Sequence, residues 1–233
     1  MKRIGWMMTW LLMLSVGIFS ENRVKLNPIP KKSRIVLDGK INESCWLRLG
    51  SVSDFFTIKP GIGNIPSEGT EFYIAYSKDY LYLAAKCFDS VPGRIKTSMA
   101  NRDNINQDDW ISFELDMLND KQINHFFRVN PNGIQADGTL NRYEEEDLSP
   151  DYVWKSRGTV HSKGYFIEIE IPFKSLRFGS TDSIGMSIGF RRQISRRSEL
   201  ISFPKYNPEA GSILMQRQSI AFRNIVSSRP FEI

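Results

Sequence analysis

Along most of the chain, apolar and polar positions alternate with a period of two. Residues 70–77 and 80–88 are two such runs separated by Lys78 and Asp79, which predicts a hairpin rich in aromatic and apolar side chains. Residues 109–116 place Ile111, Phe113 and Leu115 on one face and Trp110, Ser112, Glu114 and Asp116 on the other, so one face is expected to be dry and the other polar. Residues 124–130 form the next strand, Pro131, Asn132 and Gly133 a sharp turn, and residues 134–137 the start of the return. Residues 153–161 and 165–171 predict another hairpin around Lys163 and Gly164, with Pro172 ending the ladder. Strands over residues 34–37, 184–193, 200–203 and 213–221 complete the pattern.

Beyond the N-terminus, no segment longer than ten residues keeps a 3.6-residue period with caps. So many short strands in succession predict an all-β protein, an antiparallel β-sandwich of jelly-roll-like form. The N-terminus differs: Lys2 and Arg3 precede an apolar run over residues 4–19 that carries no charge. Such a run is too short to span a bilayer comfortably and has the shape of a secretory signal peptide. The expected organisation is a signal peptide over residues 1–20, a Pro- and Lys-containing linker over 21–33, the sandwich over 34–222 and a tail over 223–233. Export to a periplasmic or extracellular compartment follows, with envelope association as an option and no membrane span once the signal is removed.

Composition narrows the function. With 41% apolar and 24% charged residues among 233, the chain has a globular composition. Its formal charge is +5, but residues 188–233 hold 8 basic and 3 acidic side chains, whereas residues 21–187 hold 21 and 23. A near-neutral body argues against nucleic acid as a partner. Cys45 and Cys87 are the only thiols, either paired in an oxidising compartment or two separate core residues. Two histidines, His125 and His161, give zinc or histidine-based catalysis little material. The sequence has no nucleophile elbow, phosphate-binding loop, dinucleotide motif or zinc-hydrolase motif, so it is not expected to be an enzyme.

An ordered set of fragments carries a resemblance. Val36-Leu37-Asp38-Gly39-Lys40 with Glu43 and Trp46 opens it, followed by Thr70-Glu71, Leu81-Tyr82-Leu83, Cys87-Phe88-Asp89 and Arg102-Asp103. Asp108-Asp109-Trp110, Val129-Asn130-Pro131-Asn132-Gly133, Asp137, Trp154, Gly164-Tyr165, Glu168 and the run from Ile171 to Phe178 continue it. In order and spacing, residues 35–178 resemble a family-nine carbohydrate-binding domain, in the variant found at the front of bacterial outer-membrane proteins with a C-terminal barrel. The sequence ends at Phe231-Glu232-Ile233, short of a barrel, and the expectation is a truncated member, a split product or a free-standing module. The resemblance implies non-catalytic binding of an oligo- or polysaccharide, at most as an accessory to glycoside hydrolysis in carbohydrate catabolism, and a structural calcium ion. The alternative is a periplasmic or envelope protein-interaction domain that kept the fold and lost the sugar site.

A sugar presents apolar C–H faces and a rim of hydroxyls, so its site needs an aromatic platform and polar groups aimed at the rim. Trp110 and Trp154 are the candidate platforms, the first because it stands on the polar face of its strand, the second because it lies beside Tyr152 and follows the acidic run Glu144-Glu145-Glu146-Asp147. Arg102, Asn130, Gln135, Arg142 and Glu144 are the candidate polar partners. Asp103, Asp108, Asp109 and Asp137 offer the hard oxygen ligands calcium requires, though without a recognised loop spacing. Trp46 is assigned to structure.

Overall fold

The computed structural model describes residues 24, 26–29, 35–48, 50–178 and 183–225. The expected signal peptide therefore lies outside the described residues. Among the described residues, no helix is long and apolar enough to cross a membrane.

Two sheets face each other, as the alternation predicts. The smaller has the order β1-β3-β4-β10-β9, from β1 (Asn27–Pro28), β3 (Thr70–Tyr76), β4 (Tyr80–Phe88), β10 (Gly164–Pro172) and β9 (Lys155–His161). The larger has eight strands in the order β2-β12-β11-β5-β6-β7-β8, with β13 also paired to β11. Its strands are β2 (Phe56–Lys59), β5 (Trp110–Asp116), β6 (Ile123–Val129), β7 (Gln135–Asn141), β8 (Glu146–Asp147), β11 (Ser183–Ile194), β12 (Glu199–Phe203) and β13 (Gln218–Arg223). Among the described residues all pairings but one are antiparallel; β1 runs parallel to β3, so part of the segment expected as a linker joins the sheet.

The core lies between the sheets. Phe72, Ile74, Leu81, Leu83, Ile167 and Ile169 from the smaller sheet meet Ile111, Phe113, Leu115, Phe127, Ile188 and Phe190 from the larger. Phe72 and Phe190 stack with centroids 3.8 Å apart. Removing this much apolar surface from water is the main favourable term for the fold.

The outer side of the smaller sheet carries a second cluster. The five-residue helix α1 (Ser44–Arg48) buries Cys45 and Trp46 against Tyr73, Ala75 and Ala84. Trp46 is thus structural, as expected, its ring edge-on to Tyr73 at 6.3 Å. Cys87 points into the inter-sheet core, so Cys45 and Cys87 lie on opposite sides of a sheet and are two separate buried thiols.

Two strand expectations fail for identifiable reasons. The described part of residues 34–37 is irregular, because the chain turns at Asp38 and Gly39, whose N–H groups both donate to Glu168 Oε2, at 3.0 and 2.8 Å. Gly39 has a φ of 78°, and a Cβ there would meet Thr159 Oγ1 at 2.2 Å, so both conformation and space demand glycine. The run 213–221 divides: Ile213–Gln216 is a 3₁₀ turn and only β13 is extended. Ile213 and Leu214 leave the ladder to pack on Phe126 and Leu140, on the outer side of the larger sheet.

Candidate functional site

Strand register sets out the outer face of the larger sheet row by row. In β5 it presents Trp110, Ser112, Glu114 and Asp116; β6 adds Arg128 opposite Ser112 and Phe126 opposite Glu114; β11 adds Gly189 opposite Glu114 and Arg191 opposite Ser112. The alternation predicts this polar face correctly, but the face is not open. Every residue of β5 is buried, because the segment between β12 and β13 folds across the sheet and the acidic turn before β8 closes one margin.

Buried charge is concentrated there. Glu114, fully buried, forms ion pairs with both Arg191 and Arg217. Arg128 donates to Glu146 Oε1 at 2.5 Å and to Asn106 Oδ1 at 3.0 Å, and its guanidinium lies 4.3 Å from the centre of the Trp110 ring. Arg191 also reaches within 3.8 Å of Glu146. Gly189 makes the packing of Arg217 possible, since a Cβ there would come within 2.2 Å of its Nη1. Burial pushes the Arg217 guanidinium down to about 9. Burial likewise lowers Arg128 and Arg191, opposed by the charge of Glu146. Burial works against ionisation of Glu146, yet the charge and hydrogen bonds of Arg128 hold its carboxyl below the usual range.

This network is incompletely satisfied. Arg217 Nε and Nη1, Arg191 Nη2, Arg128 Nε, both amide atoms of Asn124, and the hydroxyls of Ser112 and Ser187 have no hydrogen-bond partner among the described residues. Buried polar atoms normally find partners, so such a concentration sets this face apart from the apolar side of the same strands.

The residues singled out in the sequence disperse into three groups. Trp110, Arg142 and Glu144 belong to this face and its margin. Trp110 is a buried floor under Arg128 rather than an open platform, because Ile105 and Ala136 pack around it. Arg142 is exposed, donating to Tyr143 Oη at 2.8 Å, and Glu144 is an exposed turn residue with φ 63°. The charge of Glu144 bears on Arg191.

Trp154, Tyr152, Arg102, Gln135, Asp103 and Asp137 form a second group, at one edge of the sandwich. Trp154 is a core residue, its ring edge-on to Phe127 at 5.4 Å, which corrects its assignment as a platform. Arg102 donates to Gln135 Oε1 at 2.7 Å, to Asp137 and to Tyr152 O at 2.9 Å, tying the segment before β9 to β7. Asp137 Oδ2 accepts from Tyr152 N at 2.7 Å, and Asp103 Oδ1 accepts from Asp137 N at 3.2 Å. Burial raises the Asp137 carboxyl against those hydrogen bonds and the nearby Arg102 charge.

Asn130, Asp108 and Asp109 are the third group. Asn130 Oδ1 accepts from Asn132 N and Ile134 N, at 3.1 and 2.8 Å, so it shapes the Pro131–Gly133 turn rather than facing a ligand. Asp108 accepts from Ser98 and from Asn130 Nδ2, and Asp109 from Ser195 N at 2.8 Å. The four aspartates offered for calcium thus serve separate protein donors, and no group of three or more candidate ligands is gathered among the described residues.

Sequence reasoning missed Glu114, Arg128, Arg191 and Arg217 as a set. A signal was present: each of the first three is a charge on a strand whose alternate positions are large and apolar, and adjacent Arg191 and Arg192 send one guanidinium to each face. Arg192 enters the core side, donating to Gly69 O and Phe88 O.

No family model matches the sequence. The comparison with curated proteins yields no match either. Solved structures do resemble it. A family 9 carbohydrate-binding module from Caldicellulosiruptor kristjanssonii in complex with glucose aligns with TM-score 0.56 at 14% identity, over 90% of this chain and 100% of that one. The module in complex with cellotriose aligns at 0.57 and 16%, over 88% and 100%. A Bacteroides uniformis protein provisionally described as carbohydrate-binding aligns at 0.51 and 13%, over 65% and 77%. The chain therefore has the β-sandwich fold of the family 9 carbohydrate-binding modules.

Proposed function

We propose that this protein is a non-catalytic saccharide-binding module whose ligand engages the outer face of the eight-stranded sheet, where Arg128 meets Asn106 and Glu146. The observation that carries the reading is the buried, incompletely partnered set of Glu114, Arg128, Arg191 and Arg217 beside Trp110. A hydroxyl both donates and accepts, so a polyol can satisfy carboxylate and guanidinium together, and fixed charge-assisted bonds are stronger than neutral ones. Asn106 is exposed and the Glu146 side chain is 31% exposed, so this margin is where sugar hydroxyls can replace protein partners of Arg128. The solved modules of this fold hold glucose and cellotriose, which supports the ligand class.

Catalysis is not part of the reading. Glu146 is held ionised by Arg128, and hydrogen bonds from Ser149 lower exposed Asp147, so neither carboxyl is poised as a proton donor. The charged flank and apolar run at the N-terminus support export, with a periplasmic or extracellular site of action.

A second reading, an envelope protein-interaction domain, draws support from the burial of both Trp110 and Trp154, which leaves no open ring from the predicted pair. Calorimetric titration with glucose and cellotriose separates the two. Saturable binding that weakens at least tenfold in Arg128→Gln, with the variant shown by circular dichroism to stay folded at the titration temperature, is expected. No binding by the folded wild-type protein would overturn the saccharide reading in favour of the second.

A further inference from the structure

A different opening lies at the edge of the inter-sheet space, on the opposite side of the larger sheet from the site above. It is a cleft of about 690 Å³ lined by Met117, His125, Thr139, Tyr152, Lys174 and Arg177, with Pro150, Asp151, Val153 and Ser175 completing its walls. That volume is in the range of small-molecule sites.

Its chemistry is divided. Pro150, Val153, the Met117 side chain and the Tyr152 ring make an apolar wall, and Val153 is 73% exposed, so this wall faces the opening. Tyr152 Oη and His125 Nδ1 are 2.5 Å apart and form a polar floor, with Thr139 also in the lining. Lys174 and Arg177 stand on a third side, and neither is ion-paired among the described residues. The single carboxylate of the lining, Asp151, points toward Arg102 at 3.0 Å, a guanidinium it shares with Asp137, and its side chain is largely exposed to solvent. The Arg177 charge bears on both His125 and Tyr152, which places the guanidinium toward the floor. Two unpaired cations, a hydroxyl and imidazole floor and an apolar wall select a ring compound with one anionic substituent.

We propose that this cleft is a second binding site, specific for a carboxylate-bearing saccharide unit such as a hexuronic acid, with the carboxylate between Lys174 and Arg177 and the ring against Tyr152 and Val153. The saccharide class rests on the function proposed above, whereas the preference for a carboxylate rests on the cleft alone.

The test is a titration of the full chain, followed by amide NMR, with sodium glucuronate, glucose and acetate as separate probes. Glucuronate is expected to shift the signals of His125, Val153 and Arg177, to bind at least tenfold more tightly there than glucose or acetate, and to weaken as salt is raised. Lys174→Gln combined with Arg177→Gln, both exposed and therefore tolerant of change, should reduce glucuronate binding at least tenfold. The same double variant should leave any glucose response at Arg128 unchanged. Equal binding of glucose at the cleft, equal binding of acetate, or no shift in the cleft signals overturns the proposal. Arg128→Gln separates the two sites, since it should abolish the outer-face response and leave glucuronate binding intact.

Discussion

The two faces of β5 are equally buried and chemically opposite. Ile111, Phe113 and Leu115 face the smaller sheet and meet mostly hydrocarbon and aromatic rings, with Phe113 stacked 5.7 Å from Phe190 and Arg192, opposite Ile111, tied to Gly69 O and Phe88 O. Ser112, Glu114 and Asp116 on the other face are just as dry, yet they meet arginines, serines and a covering loop. Burial alone therefore does not distinguish a core from a site. The distinction lies in partner satisfaction: the inner face leaves few polar atoms to satisfy, while the outer one holds many without partners.

The comparison breaks most sharply at its two centres. Phe190→Ala should destabilise the fold by about 3–5 kcal/mol through lost burial and a residual cavity. Glu114→Ala should cost a similar amount, about 3–5 kcal/mol, for the opposite reason, because it leaves Arg217 buried without its carboxylate and Arg191 with only Glu146 at 3.8 Å. Chemical denaturation of both variants checks the magnitudes, and a third variant separates the causes. Replacing Glu114, Arg191 and Arg217 together by Leu, Met and Met removes the uncompensated charge and should recover most of the Glu114→Ala loss. Failure to recover would mean that the covering segment, not the ion pairs, sets the stability of this face. The triple variant is also expected to lose any saccharide binding while keeping most of the wild-type stability, as expected if the polar cluster is retained for function.

How much of this was legible beforehand follows the same division. Strand periodicity located β3, β4, β5, β6, β10 and β12 to within a residue or two at each end, since a period of two is imposed by the pleat and needs no partner to be read. Strands β2 and β8 were missed because they are short and take their extended form from neighbours, β2 from β12 and β8 from β7. The candidate site was legible only as a polar face. Nothing local to residues 109–116 shows that Arg217 will cover Glu114, or that Ile105, Ala136 and Arg128 will enclose Trp110, and without that enclosure Trp110 reads as an exposed ring. Arg217 was invisible for the same reason: its meaning comes from Gly189 and Glu114, both distant in sequence.

The smallest expected effect concerns the boundary between the two faces, where the inner side of β6 reaches the cleft. His125 continues the row of Phe127 and Val129, but its ring ends against Tyr152 and not against the smaller sheet. Burial lowers its pKa, the Asp116 charge opposes this, and Arg177 adds to the lowering, with Asp120 acting in the same sense as Asp116. A histidine whose folded pKa is below the unfolded value of about 6.5 binds fewer protons in the folded state. Its stabilising contribution is complete above that unfolded value and is lost as pH falls toward the folded one. The unfolding midpoint should therefore decline between pH 7 and pH 5, and His125→Gln should flatten that part of the profile relative to wild type. An unchanged slope in the variant would show that the imidazole titrates as freely in the folded protein as in the unfolded chain, and that the cleft floor belongs to solvent and not to the dry interior that it adjoins.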